Sequence, residues 1–197
     1  WHWSLYHWLE GENPTPHNTP DLNTLAKDLA HFLLALHSID ATEGPAPGEH
    51  NSGRGVPLLL RDSTVRSAIE ALEGLIDTRS ATEMWEAALA QPLWNQKPVW
   101  VHGDIQAGNL LVQEGNLSAV IDFGCLGVGD PACDLIVAWN LLTQESRTHF
   151  RKTLQVDKAT WERGKGWALS VALIALPYYL HTNPVIVANS HRVLLEL

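Results

Sequence analysis

Three oxygen-bearing side chains in one stretch, Asp104, Asn109 and Asp122, are of the types that could do chemistry together. An apolar lead-in, Val99 to Val101, delivers a loop that holds Asp104, and Asn109 follows five positions later. Two runs rich in Leu, Val and Ile, at 110–112 and 117–121, are separated by Gln113, Glu114, Gly115 and Asn116. The separator is turn chemistry, so the pair reads as a β-hairpin. Closing it over Gly115 sets position 110 opposite about position 120. Asn109 and Asp122 then meet at the open end, with Asp104 on the loop just before it. Such an oxygen set suits a hard cation, and Mg²⁺ is usually held by one or two protein groups plus the phosphates of a substrate. Asp104 need not be a ligand. It stands where a base could orient a hydroxyl beside a metal-bound phosphate, the arrangement that phosphoryl transfer needs. Taken alone, it reads first as a loop Asp capping nearby backbone amides, and it is Asn109 and Asp122 in register that put the catalytic role ahead.

The elements that must position these groups are mostly helical. Residues 1–9 alternate bulky and polar groups and read as a strand, broken by the Gly- and Pro-containing segment 10–16. Thr19 with Pro20 at the first helical position opens a helix carrying Leu25, Leu29, Phe32, Leu33 and Leu36 on one face. Residues 41–57 are rich in Gly, Pro and Asn and form a long loop, which either borders a substrate cleft or is a simple or disordered connection. Asp62 caps a second helix, and Ser80 to Glu83 reads as a capping box opening a third that Pro92 ends. After the hairpin come an apolar helix from Leu135 to Leu142, another from near Gln144, a longer one capped by Asp157, and a last one opened by Asn183-Pro184. Without a βαβ alternation, the fold class is α+β and mostly helical, with a small hairpin at the site.

Composition narrows the function. The net charge of −9 argues against a nucleic-acid partner, which needs a basic stripe, and is compatible with a cationic small molecule. Cys125 and Cys133 have neither a disulfide framework nor zinc spacing, so they read as buried thiols of a reducing, cytoplasmic compartment. No signal peptide is visible. The longest apolar run, Trp167 to Leu180, contains Pro177 and falls short of the ~20 residues of a membrane span.

The ordered motifs resemble a known family. Asp104 and Asn109 have the Asp-x-x-x-x-Asn spacing of the protein-kinase catalytic loop, and Asp122-Phe123-Gly124 matches the metal-binding Asp-Phe-Gly. With His102-Gly103-Asp104 in place of His-Arg-Asp, the very short hairpin, and Gly129-Asp130-Pro131 followed by Asp134, the chain resembles the aminoglycoside phosphotransferase family. These are small-molecule kinases of protein-kinase-like fold. The resemblance implies that residues 1–12 are the last strand of an N-terminal lobe plus the hinge, and that residues 13–197 are the helical C-terminal lobe. The N-terminal nucleotide lobe, with its phosphate-gripping lysine, is not found in this chain, so the piece alone is expected to be inactive. It also implies ATP or GTP as co-substrate, Mg²⁺ on Asn109 and Asp122, Asp104 as the base, and backbone recognition of the nucleotide base around Trp8, Leu9, Glu10 and Gly11. His102 and Asp134 are expected to hold the loop. Gln106 and Ala107 replace a His-Pro often seen in this family, a departure expected to leave the base and metal groups untouched.

The acceptor is the open end of this reading. An aminoglycoside leads by resemblance, with choline, homoserine or a sugar as alternatives and a catalytically silent scaffold of the same fold as a rival. Among the nine tryptophans, Trp85, Trp139, Trp161 and Trp167 are candidates to wall a cleft, because aromatic faces hold sugars and cations, though core packing is the leading reading for any one of them. Glu86 and Glu162 are candidate partners for substrate ammonium groups, and Asp130 either touches substrate or opens the Asp-Pro turn.

Overall fold

The computed structural model describes residue 3 and residues 5–15, 17–19 and 21–197. Pro20, expected at a helix start, lies outside them. Helix α1 (Leu22–Ser38) is capped by Asp21, whose carboxylate accepts from the N–H groups of Asn23 and Thr24. The expected cap, Thr19, instead turns its hydroxyl to Asn18. Leu25, Leu29, Leu33 and Leu36 recur at helical spacing and are buried, which fastens α1 into the core.

Helix α2 (Asp62–Ala71) begins at Asp62, but that carboxylate does not cap it. It accepts from Arg66 one turn on and from the Trp85 indole N–H. Helix α3 (Thr78–Leu89) starts earlier than the Ser80 capping box implied, because Asp77 accepts from both the N–H and the hydroxyl of Ser80. A carboxylate that can take two donors outcompetes a hydroxyl cap inside the same turn.

Strand β1 (Val99–Val101) leads into the loop of Asp104, and β2 (Leu110–Gln113) pairs with β3 (Asn116–Val120) in the hairpin. Leu110 stands opposite Val120, and an irregularity between Leu111 and Val112 lets both ends stay paired. Glu114 and Gly115 carry the positive φ angles, 50° and 82°, that close a two-residue turn. Strand β4 (Gly127–Gly129) returns antiparallel to β1, with Trp100 opposite Val128. A 3₁₀ segment, Pro131–Ile136, runs into the short α4 (Val137–Asn140), so the apolar stretch after Asp134 is two tight turns and not one helix. Helices α5 (Gln144–Leu154), α6 (Lys158–Tyr179) and α7 (Pro184–Glu196) complete the chain. Asp157 and Asn183 cap α6 and α7, as their positions in the sequence imply.

Helix α6 is the spine: α2, α3, the 131–136 turns and α7 pack around it, and Trp161, Trp167, Leu169, Leu173 and Leu176 are buried there. None of the helices of the described residues is long and apolar enough to cross a membrane. Residues 5–10 form no strand. Leu5, Tyr6 and Trp8 are at least 79% exposed, and the backbone pairs with the hairpin only at Glu12, opposite Val112. A strand exists only through its partner, and the described residues offer none here.

Candidate active site

The loop between β1 and β2 is held from beneath by a buried acid. The carboxylate of Asp134, at 0% exposure, accepts from the N–H groups of His102 (3.2 Å) and Gly103 (2.6 Å) and meets His37 Nε2 at 3.1 Å. His102 is itself fully buried and bridges two segments. Its Nε2 lies 3.0 Å from the Ile121 carbonyl, and its Nδ1 accepts the Asp104 N–H at 3.2 Å, the pattern of a neutral ring protonated at Nε2. Phe123 closes over that ring at 4.8 Å between centroids. Gly103 has φ +79°, a conformation that costs an L side chain.

These restraints aim Asp104. Its Oδ2 accepts from Asn109 Nδ2 at 2.9 Å, which also donates to the Asp104 carbonyl at 2.8 Å. The Asn109 amide is thereby oriented through both hydrogen bonds of its Nδ2. Asn109 C=O accepts the Ile121 N–H at 2.9 Å, and Asp122 follows directly at the open end of the hairpin. Asp122 sits in the left-handed region (φ 61°), with its side chain exposed and one oxygen accepting from Gly124 N–H. Backbone strain of this kind persists only where the surroundings enforce it.

The donor set fits Mg²⁺. Asn109 Oδ1 and an Asp122 oxygen are hard ligands without a hydrogen-bond partner among the described residues, and no cluster of three or more His, Cys, Asp or Glu competes with them there. A site with few protein oxygens that leaves room for phosphates is the usual Mg²⁺ arrangement.

Two further groups reach Asp104, and sequence reasoning missed both. Arg54, from the long 41–57 loop, places a guanidinium nitrogen 3.7 Å from Oδ1. Gln106 Nε2 donates to Oδ2 at 3.1 Å, so the departure at this position does touch Asp104, the expected base, because the turn of the loop folds the amide back over it. Arg54 carried no local signal beyond a lone arginine between Gly53 and Gly55. Asp104, Arg54, Gln106, Asn140 and Tyr179 line one cavity of about 250 Å³, walled by α6 and α7.

The other candidates lie away from this cavity. Trp85 is fully buried and bonded to Asp62, and Trp139 packs on Trp161 at 5.0 Å, so both are core. Glu86 and Glu162 pair with Arg66 and Lys165 on the surface. Asp130 is buried, pairs with Arg163 at 2.7 Å and caps the 131–136 turns, which makes it scaffolding. Trp8, Leu9 and Glu10 are exposed, while Gly11 lies against the hairpin at Leu111 and Ser118.

Known proteins resemble this chain in sequence and in fold. An aminoglycoside 3'-phosphotransferase of Escherichia coli is 31% identical over 125 residues, covering 59% of this chain and 42% of that protein. The chain thus spans less than half the length of this curated relative. Among solved structures, the ADP-bound aminoglycoside phosphotransferase APH(2'')-Ib has a TM-score of 0.55 at 24% identity over 95% of this chain and 69% of the other. A macrolide 2'-phosphotransferase type I has a TM-score of 0.63 at 18% identity over 94% and 66%. At these identities the solved structures speak for the fold, which is the mostly helical α+β lobe of the protein-kinase-like phosphotransferases. The profile of one family, described as the phosphotransferase enzyme family (APH), matches residues 1–167. With the aspartate, the amide and the second aspartate of its motifs gathered at one end of the hairpin, this chain belongs to the phosphotransferase enzyme family.

Proposed function

We propose that the protein transfers the γ-phosphoryl group of a nucleoside triphosphate, ATP or GTP, to a hydroxyl of a small molecule. The observation that carries this reading is the hydrogen bond of 2.9 Å that aligns Asn109 with the Asp104 carboxylate, beside Asp122 and facing a cavity. Asp104 orients the acceptor hydroxyl and takes its proton as the new O–P bond forms and the bond to the departing nucleoside diphosphate breaks. Asn109 and Asp122 would hold Mg²⁺, which supplies charge neutralisation to the phosphates when bound. Arg54 and Gln106 keep the Asp104 carboxylate in one orientation. The ADP bound to one structural neighbour supports a nucleotide co-substrate, and relatives named for aminoglycosides and macrolides support an antibiotic-like alcohol, with an aminoglycoside leading by sequence likeness.

The test is Mg²⁺-dependent release of ADP or GDP by the protein expressed from its complete reading frame, with panels of aminoglycosides, macrolides, choline, homoserine and sugars. Acceptor-dependent release that Asp104→Asn lowers by roughly 10² to 10⁴ supports the assignment. Nucleotide binding without any acceptor-dependent release would favour the silent scaffold.

A further inference from the structure

Resting on the phosphotransferase reading, we propose that Gln106 is a positioning residue that closes Oδ2 of Asp104, leaves Oδ1 as the single atom of the base open to a nucleophile, and so keeps the phosphoryl group from water.

The two oxygens of Asp104 are treated differently. Oδ2 accepts from Gln106 Nε2 at 3.1 Å and from Asn109 Nδ2 at 2.9 Å. An ionised carboxylate only accepts, so chemistry assigns the nitrogen ends of both amides to it, and two donors fill the lone pairs of one oxygen. Oδ1 accepts no hydrogen bond among the described residues. Arg54 stands 3.7 Å from it, near enough to offset its charge and too far for a hydrogen bond. The side chain is 26% exposed, and Oδ1 is not sealed in the interior.

Gln106 is held for this duty. Its carbonyl accepts the Asn109 N–H at 2.9 Å. The carbonyl before it, of the fully buried Ile105, accepts from Asn140 Nδ2 at 3.0 Å. The backbone is thus pinned on both sides of Gln106, and the side chain is delivered to the wall of the cavity that Asp104 faces.

In the transfer, the acceptor O–H bond breaks and its proton goes to Oδ1 as that oxygen forms the new O–P bond. The bond from phosphorus to the nucleoside diphosphate breaks, and its electron pair leaves with the diphosphate. Without the Gln106 donor, Oδ2 has a vacant lone pair on the cavity side. A water bound there gives its proton to Oδ2 and its oxygen to phosphorus, and inorganic phosphate forms in place of the phosphorylated acceptor. One amide therefore decides which nucleophile the base serves.

The experiment follows inorganic phosphate released from ATP and from GTP, with Mg²⁺, by the protein expressed from its complete reading frame. It is run without an acceptor and then with kanamycin or erythromycin. Gln106→Met keeps the side-chain length and removes the donor, and Gln106→His restores one N–H. Gln106→Met is expected to release phosphate about tenfold faster than wild type without an acceptor, a gain that a damaged fold does not produce. With the compound that the wild type phosphorylates, its kcat for transfer should fall about 10-fold to 100-fold at an acceptor KM within about twofold, the effect of one hydrogen bond to a charged group. Gln106→His should recover wild-type values to within about threefold. Acceptor-free release at or below the wild-type rate by a folded Gln106→Met, or a gain that Gln106→His does not reverse, overturns the proposal and leaves the phosphotransferase reading standing. If the wild type phosphorylates neither compound, the acceptor-free rates decide. No nucleotide turnover by the wild type or either variant sinks the phosphotransferase reading and the proposal with it. Should Gln106→Met fail to fold, Gln106→Ala removes the same donor and takes its place.

Discussion

On the proposed function two carboxylates of the same site would carry opposite duties, and substitution separates them. Asp104 faces the cavity, and its packing contribution is small, so Asp104→Asn should lower kcat by about 10² to 10⁴ while leaving the thermal midpoint unchanged. Asp134 is sealed at 0% exposure beneath the loop. In Asp134→Ala the N–H groups of His102 and Gly103 lose their acceptor inside the protein, which costs roughly 1–3 kcal/mol for a group left unsatisfied. That variant should fall by several degrees in a thermal melt as well as losing activity, and a melt identical to wild type would contradict the clamp. The placement of Asp104, Asn109 and Asp122 at one end of the hairpin was legible in the sequence because local covalent spacing carries it: a five-residue loop step and a short hairpin leave Asn109 and Asp122 few other places to go. Arg54 was not legible. Its partner Asp104 is distant in sequence, and only tertiary docking of the loop brings the two together.

At the scale of elements, the 48–56 loop and β4 are joined through glycines. A Cβ on Gly129 would lie 2.6 Å from the Gly55 carbonyl oxygen and 2.8 Å from its Cα, which are backbone atoms that cannot swing aside. The Asp130 N–H also donates to that carbonyl at 2.9 Å. Gly129→Ala should therefore push the loop off the strand, destabilising the fold by about 1–3 kcal/mol. Because Arg54 rides on the loop, kcat/KM should fall further than the stability loss explains. Limited proteolysis within residues 48–56, together with acceptor kinetics, would check this, and an undisturbed loop would refute it. The helices themselves were legible from periodic leucines, but their starts moved by a few residues. Several polar residues compete within one turn, and the winner is the carboxylate that gathers two donors, Asp21 or Asp77 in place of Thr19 or Ser80. The β1–β4 pairing is long-range and only three residues long, so no local pattern announced it.

At the scale of the whole molecule, the α6 spine shelters a charge that the fold does not neutralise. Arg61 Nε donates to Ser170 at 2.7 Å and its guanidinium stacks on Trp167 at 4.7 Å, but none of the salt bridges among the described residues includes it. Burial, with the neighbouring Arg54 charge adding to it, lowers its pKa to about 10. A base whose pKa is depressed on folding opposes folding wherever it is protonated. The cost is therefore fully present below about pH 10 and shrinks as the pH rises from there toward the group's ordinary value. Arg61→Met keeps the length and the apolar contact with Trp167 while removing the charge, an exchange that is often neutral or stabilising in a protein interior. At pH 7 the variant should be at least as stable as wild type in denaturant unfolding. The difference should shift in favour of wild type as the pH is raised through about 10. A wild type more stable by over about 1 kcal/mol at neutral pH would mean that stacking and the Ser170 bond outweigh the buried charge. With Arg61 gone, Arg54 also loses a like-charged neighbour, so its hold on Asp104 should tighten rather than loosen.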